Sequence, residues 1–157
     1  MSDYRALGTD TIQPILTFRF SVALDGIGEF EATEVSGLGY EIEMIEDEIV
    51  GPSGSASLRK MPGHLDYDEI EITRPLSSDT TLWDWMKRLA VDGEDVNGVR
   101  SNGTIVLYDS AANPVAEWKF ERSWPISYSV TDLDISDASV VTETIKITHE
   151  YLSLIHI

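Results

Sequence analysis

"EWKFERSWPISYSV", residues 117–130, is the stretch on which the fold turns. Ala116, Trp118 and Phe120 alternate with Glu117, Lys119 and Glu121, the period-2 pattern of a strand with one buried face. Trp124 then stands directly before Pro125, so the run predicts a strand that ends in a Trp-Pro break. Two tryptophans, a phenylalanine and a tyrosine fall within eleven residues, with no catalytic group among them. So much rigid aromatic surface calls for a structural explanation.

The flanking sequence supplies more strands. "TFRFSVALDG" puts Phe18, Phe20, Val22 and Leu24 on one face, and Asp25-Gly26 predicts a turn back into "EFEATEVSGLG". Gly37 and Gly39 interrupt the next run and predict a bulge or bend. "YEIEMIEDEIV" follows, with Tyr40, Ile42 and Met44 on one side and Glu41, Glu43 and Ile45 on the other. Residues 51–64, "GPSGSASLRKMPGH", read as a loop or the tip of a long hairpin, and "YDEIEIT" (67–73) as a further strand.

One helix is expected, over residues 79–91. Ser78 or Asp79 can cap it, and Leu82, Trp85, Met86 and Leu89 form its apolar stripe. "TIVLYD" pairs with the aromatic strand around the turn "SAANP". "SYSVTDLDISD" reads as an irregular acidic crossing and "SVVTETIKITHEYLSLIHI" as one long last strand. The whole is mainly antiparallel β with a single helix, a sandwich or barrel-like core. Core placement is expected for at least three of Trp83, Trp85, Trp118 and Trp124.

At 157 residues the chain predicts one domain, 1–157, burying roughly 70% of its unfolded surface. Residues 1–14 read as a flexible arm. No apolar leader or bilayer-length stretch is apparent, so neither Sec export nor membrane insertion is expected. There is no cysteine, hence no disulfide or thiolate chemistry. Twenty-eight acids against eleven bases give a net charge of −17, which repels phosphate backbones and argues against stable nucleic-acid binding. Such a surface serves solubility or suits a high-salt cytoplasm; only Lys60, Lys87, Lys119 and Lys146 are lysines.

No catalytic, cofactor or metal site assembles from the sequence. His64, His149 and His156 lack metal-ligand spacing. "DLDISD" offers Asp132, Asp134 and Asp137 to calcium without the Gly and terminal Glu of an EF-hand. "DYDEIE" (66–71) reads as a solvated strand face, and "GPSGSAS" fails the G-x-S-x-G spacing. The hairpin around 40–62 is harder to satisfy within one chain. A two-stranded extension is marginal in water, and Ile45, Ile49, Val50, Leu58 and Met61 stay exposed on it unless another subunit covers them. The physics favours a chain that assembles.

The order of motifs resembles the inner tail-tube protein family of contractile phage tails and related extracellular injection particles. The resemblance rests on "FRFSVALDGIGEFEATEVSGL", "KMPGHLDYDEIEITRPLSSDTTLWDWM", and "RSNGTIVLYDSAANPVAEWKFERSWPISY" followed by "ETIKITHEYL". The family's F-x-V strand matches Phe20 to Val22 and its E-V-S-G-L turn matches Phe30 to Leu38. Its K-x-P-G loop matches Lys60 to Gly63, its L-W-x-W helix Leu82 to Trp85, and its strand ending in W-P Trp118 to Pro125. About residues 17–152 are covered. Two departures stand out: "TRPLSSDT", where the family has Arg-Gly before the helix, and the tail "SLIHI".

The resemblance implies two antiparallel sheets packed as a barrel-like β-sandwich with a flanking helix and a long hairpin. It implies homo-hexameric rings stacked into a hollow tube, with sheets of neighbouring subunits lining the bore, residues 40–62 as the assembly arm and the helix outside the bore. Sheath, baseplate and tube-initiator or terminator proteins are the implied partners, with DNA or an effector protein as cargo. The implied setting is assembly in the producing cell's cytoplasm and residence in a virion tail or released particle. Phe18, Phe20, Trp85, Trp118, Phe120 and Trp124 are the expected stiffening core of a mechanical part. An exported type VI secretion ring protein is the related alternative, and a calcium- or glycan-binding β-sandwich one of another class. Because like-charged copies repel, assembly is expected to improve with salt, with many acids on the lumen or outer wall.

Overall fold

In the computed structural model, residues 19–136 and 139–156 are described. Phe18, the 1–14 arm and Asp137 lie outside them. Among the described residues ten strands and two helices follow in chain order: β1 (Arg19–Leu24), β2 (Gly28–Ala32), β3 (Glu34–Ser36), β4 (Tyr40–Val50), β5 (Ala56–Tyr67) and β6 (Ile70–Pro75), then α1 (Thr81–Ala90), α2 (Val96–Val99), β7 (Ser101–Tyr108), β8 (Pro114–Val130), β9 (Thr142–Thr148) and β10 (Tyr151–His156).

Two antiparallel sheets share one strand. The first half of β8 pairs with β7 and β10, and β7 continues to β1 and β2. The second half pairs with β9, which continues to β6 and β3. The result is mainly β with two antiparallel sheets, open at their edges rather than closed into a barrel.

The seventeen-residue β8 corrects the expected Trp-Pro break. The strand passes straight through Trp124-Pro125; Pro125 falls beside a register irregularity, a place where strands tolerate proline. The change of sheet comes earlier. Arg122 takes a left-handed φ of 52°, at the shift in register between β7 and β8. Its N–H donates to Asn102 Oδ1 at 3.0 Å, which compensates the bulge locally.

The core lies between the sheets. Val22, Ile70, Ile72, Leu82, Ile105, Ile145 and Ile147 are all fully shielded from solvent. Alternation sets this directly: Phe20, Val22 and Leu24 face inward while Ser21 and Ala23 pair outward with Glu31 and Glu29. Trp85 and Phe120 are buried, Phe20 and Trp118 pack on the core from its margin, Trp124 is half-buried and Trp83 is exposed, edge-on to Tyr128. Trp85 Nε1–H donates to the Val99 carbonyl at 2.9 Å, which ties α1 to α2. The short α2 sits within the loop expected after the first helix, begun by the Asp95 carboxylate accepting from Asn97 N–H.

Several boundaries differ from expectation. The 51–64 loop shrinks to residues 51–55, and the remainder, His64 included, belongs to β5. "YDEIEIT" is not one strand: Tyr67 closes β5, Asp68 and Glu69 bridge, and Ile70 opens β6. Helix α1 starts at Thr81 with Thr80 at the cap position, and Asp79 supports it by accepting from Thr81 N–H at 3.1 Å. Ser127 to Val130 lie in β8, not in an irregular crossing. The long last strand divides at His149-Glu150 because its two halves pair in different sheets.

A buried ion network fastens α1 to the second sheet. Arg74, 4% exposed, places Nε 2.5 Å from Glu143 Oε1 and Nη1 3.1 Å from Asp79 Oδ2, with its guanidinium over the Phe30 ring. Tyr128 O–H donates to the other Glu143 oxygen. Burial, and then that carboxylate, push the Tyr128 hydroxyl up to about 12, so it stays a donor.

Candidate functional site

The β4–β5 ribbon projects from this body. Its strands, eleven and twelve residues long, pair from Tyr40↔Tyr67 at the root to Val50↔Ala56 at the tip. Beyond each other, neither packs extensively on another described element. Opposite charges face across it at Glu46↔Lys60 and Asp47↔Arg59, which fixes the register without a core behind it.

Alternation gives the ribbon two faces. Tyr40, Ile42, Met44, Leu58, Leu65 and Val50 share one, all exposed. Ile45 and Ile49 share the other with Glu41, Glu43 and Asp47. Of the five apolar residues singled out for assembly, Ile45, Ile49, Val50 and Leu58 are exposed and Met61, opposite Ile45, is half-buried. They fall on both faces, so no single surface of the same chain could cover them.

The root is held firmly. Gly37 has φ +83°, and a Cβ there would lie 1.9 Å from the Glu69 carbonyl oxygen, so only glycine permits the approach of the two segments. Asp68 N–H donates to the Gly39 carbonyl at 3.0 Å. Four rings run from ribbon to core: Tyr40 on Tyr67, Tyr67 on His149, and His149 on Phe120, with centroids 5.8, 5.3 and 6.1 Å apart.

His149, 7% exposed, places Nε2 3.0 Å from the Asp68 carbonyl oxygen, while Nδ1 has no partner among the described residues. Burial holds its pKa below the ordinary value, against the opposing pull of the hydrogen bond at the Asp68 carbonyl. The sequence offered this histidine only as a metal ligand, set aside for lack of ligand spacing; its place beside an aromatic strand and a hairpin end carried no local signal.

Beside the root, Leu38, Tyr40, Trp118, Leu152, Ser153 and Leu154 line a groove of mixed polarity. Among the described residues, no three His, Asp or Glu side chains converge as metal ligands. Asp134 accepts from its own neighbour Ser136, and Asp132 lines a surface hollow with Leu133 and Ile135. The arrangement offers contact surface rather than reacting groups.

Residues 16–153 match the family model described as T4-like virus tail tube protein gp19. The chain belongs to the tail-tube protein family. Solved structures agree in fold. A chain of the sheath–tube complex of an extracellular contractile injection system, PVC, in its extended state aligns over 94% of this chain and 95% of its own, with 21% identity and a TM-score of 0.74. The tube-terminating cap of the anti-feeding prophage aligns over 97% and 99%, with 22% identity and a TM-score of 0.74. Hcp1 from Flavobacterium johnsoniae aligns over 87% and 94%, with 20% identity and a TM-score of 0.54. No curated protein matches the chain. The motifs quoted from residues 20–125 and 143–152 thus fall inside the tail-tube match, and the five terminal residues from Ser153 extend only to its last position and beyond.

Proposed function

We propose that this tail-tube protein forms six-membered rings that stack into a hollow conduit, with the β4–β5 ribbon as the arm that reaches neighbouring copies. One observation carries the reading: a ribbon of eleven- and twelve-residue strands is exposed on both faces while its root is locked to the body. A ribbon of this kind gains stability only by lying against another surface. The family is structural, and the chain acts mechanically, without catalysis or cofactor. A contractile sheath, a baseplate and initiator or terminator proteins surround it; related folds occur in a sheath–tube complex, a baseplate and a cap. DNA or an effector protein passes through, and an acidic wall keeps DNA from binding to it. Assembly takes place in the producing cell's cytoplasm.

Negative-stain microscopy and sedimentation of the purified chain test this. Six-fold rings or hollow rods are expected, more abundant as salt screens the −17 charge of each copy. Val50→Asp with Leu58→Asp should leave the fold intact and abolish rings. A monomer at every concentration and ionic strength would refute the proposal. Calcium-dependent melting would instead favour a metal-binding sandwich.

A further inference from the structure

A chain of net charge −17 that associates with itself must offset its own repulsion locally, at a point of exposed positive charge. Most bases cannot supply one. Arg74 is buried with two carboxylates, and Arg19, Arg88 and Lys146 each face one, in Glu31, Glu94 and Glu69. Arg59 and Lys60 sit opposite Asp47 and Glu46, and Lys87 and Lys119 are exposed single charges outside the ion pairs of the described residues.

One place differs. At the β9–β10 turn, Arg100 Nη1 lies 2.5 Å from Glu150 Oε1 and Arg122 Nε lies 2.8 Å from Glu150 Oε2. Among the ion pairs of the described residues, this is where two guanidiniums share a single carboxylate, leaving an uncompensated positive charge. Arg100 Nε is enclosed and has no acceptor. Arg122 is largely exposed, and the bulge at its left-handed backbone aims the side chain to this spot. A non-glycine residue in that conformation is held at a cost that the β7–β8 crossing does not require, since glycine would serve there. Hydrogen bonding from Arg100 is the largest cause of the lowered Glu150 pKa, and the Arg122 charge adds to it.

We propose that Arg100 and Arg122 form a docking point for an aspartate or glutamate side chain of a second copy of this chain. A guanidinium pair fits a carboxylate through paired N–H donors, and a copy bearing twenty-eight acids is the complementary surface at hand. The inference rests on the self-assembly reading and names one of its contacts.

Arg122→Gly removes the guanidinium and relieves the backbone, so the fold should melt at or above the wild-type temperature. The concentration for half-maximal assembly should rise at least about tenfold, the loss of one charge-assisted contact per interface. In parallel, Arg122→Lys is treated with a carbodiimide, which joins an amine directly to a carboxylate, in a mixture of isotopically light and heavy copies. Light-to-heavy linked peptides through position 122 are expected. If wild type assembles and Arg122→Gly assembles equally well, the docking point is refuted while the assembly reading stands. If Arg122→Gly melts lower, linkage decides: bonds only to Glu150 of the same copy also refute it. Failure of wild type to associate at any salt removes both readings.

Discussion

The β4–β5 ribbon and the β6–β9 pair are both regular antiparallel ladders, yet their side chains meet opposite fates. In β6–β9 the inward set, Ile70, Ile72, Ile145 and Ile147, is wholly buried, while Glu71, Thr73, Thr144 and Lys146 face out. In the ribbon, apolar groups stand on both faces and stay exposed. Strict period-2 alternation belongs to a strand with one neighbour layer. Apolar residues on both sides of a pair without such a layer are what the proposed assembly role of the ribbon rests on.

Substitutions separate the two regions by size of effect. Truncating the body at its most enclosed points should cost most. Trp85→Ala forfeits a fully packed indole and its hydrogen bond to Val99, about 3–5 kcal/mol. Glu143→Ala strands a buried Arg74 at a similar cost of about 3–5 kcal/mol. Chemical denaturation reads both, and a loss of under 1 kcal/mol for either would show that the body is not the tightly packed unit described. At the root, Gly37→Ala should cost about 3 kcal/mol through its backbone clash and left-handed φ.

His149 should add a smaller, pH-dependent share. Because its folded pKa is depressed below the unfolded 6.5, its contribution is full above that pH and is lost as pH falls through the folded value. His149→Gln should flatten this slope. Hydrogen exchange at Asp68 and Tyr67 measures it, and an unchanged slope would dissociate the ring ladder from the root. Smallest of all, Val50→Thr or Leu58→Thr should shift the stability of the lone chain by less than about 0.5 kcal/mol. Comparable losses at tip and core would break the comparison outright.

Much of this was legible beforehand. The alternation of Val22, Leu24 and Phe120, the Leu82–Trp85 stripe and the exposed Ile49, Val50 and Leu58 follow from local periodicity. Whatever depended on distant pairing was not. Pro125 reads as a stop, but whether a proline ends a strand depends on what would have accepted from its missing N–H. Residues 142–156 read as one strand, because the split at His149-Glu150 is set by β6 and β8 on either side. The Arg74–Glu143–Asp79 network joins residues up to 69 positions apart and leaves no local trace. The same holds for Arg100, Arg122 and Glu150.

The shared strand β8 has a mechanical corollary. A sandwich whose layers meet only through side-chain packing can slide by shear, one layer over the other. Here an unbroken polypeptide spans both layers, so a shove delivered to either reaches the other along covalent bonds. Slippage would then demand unzipping ladders on both sides of residue 122 together.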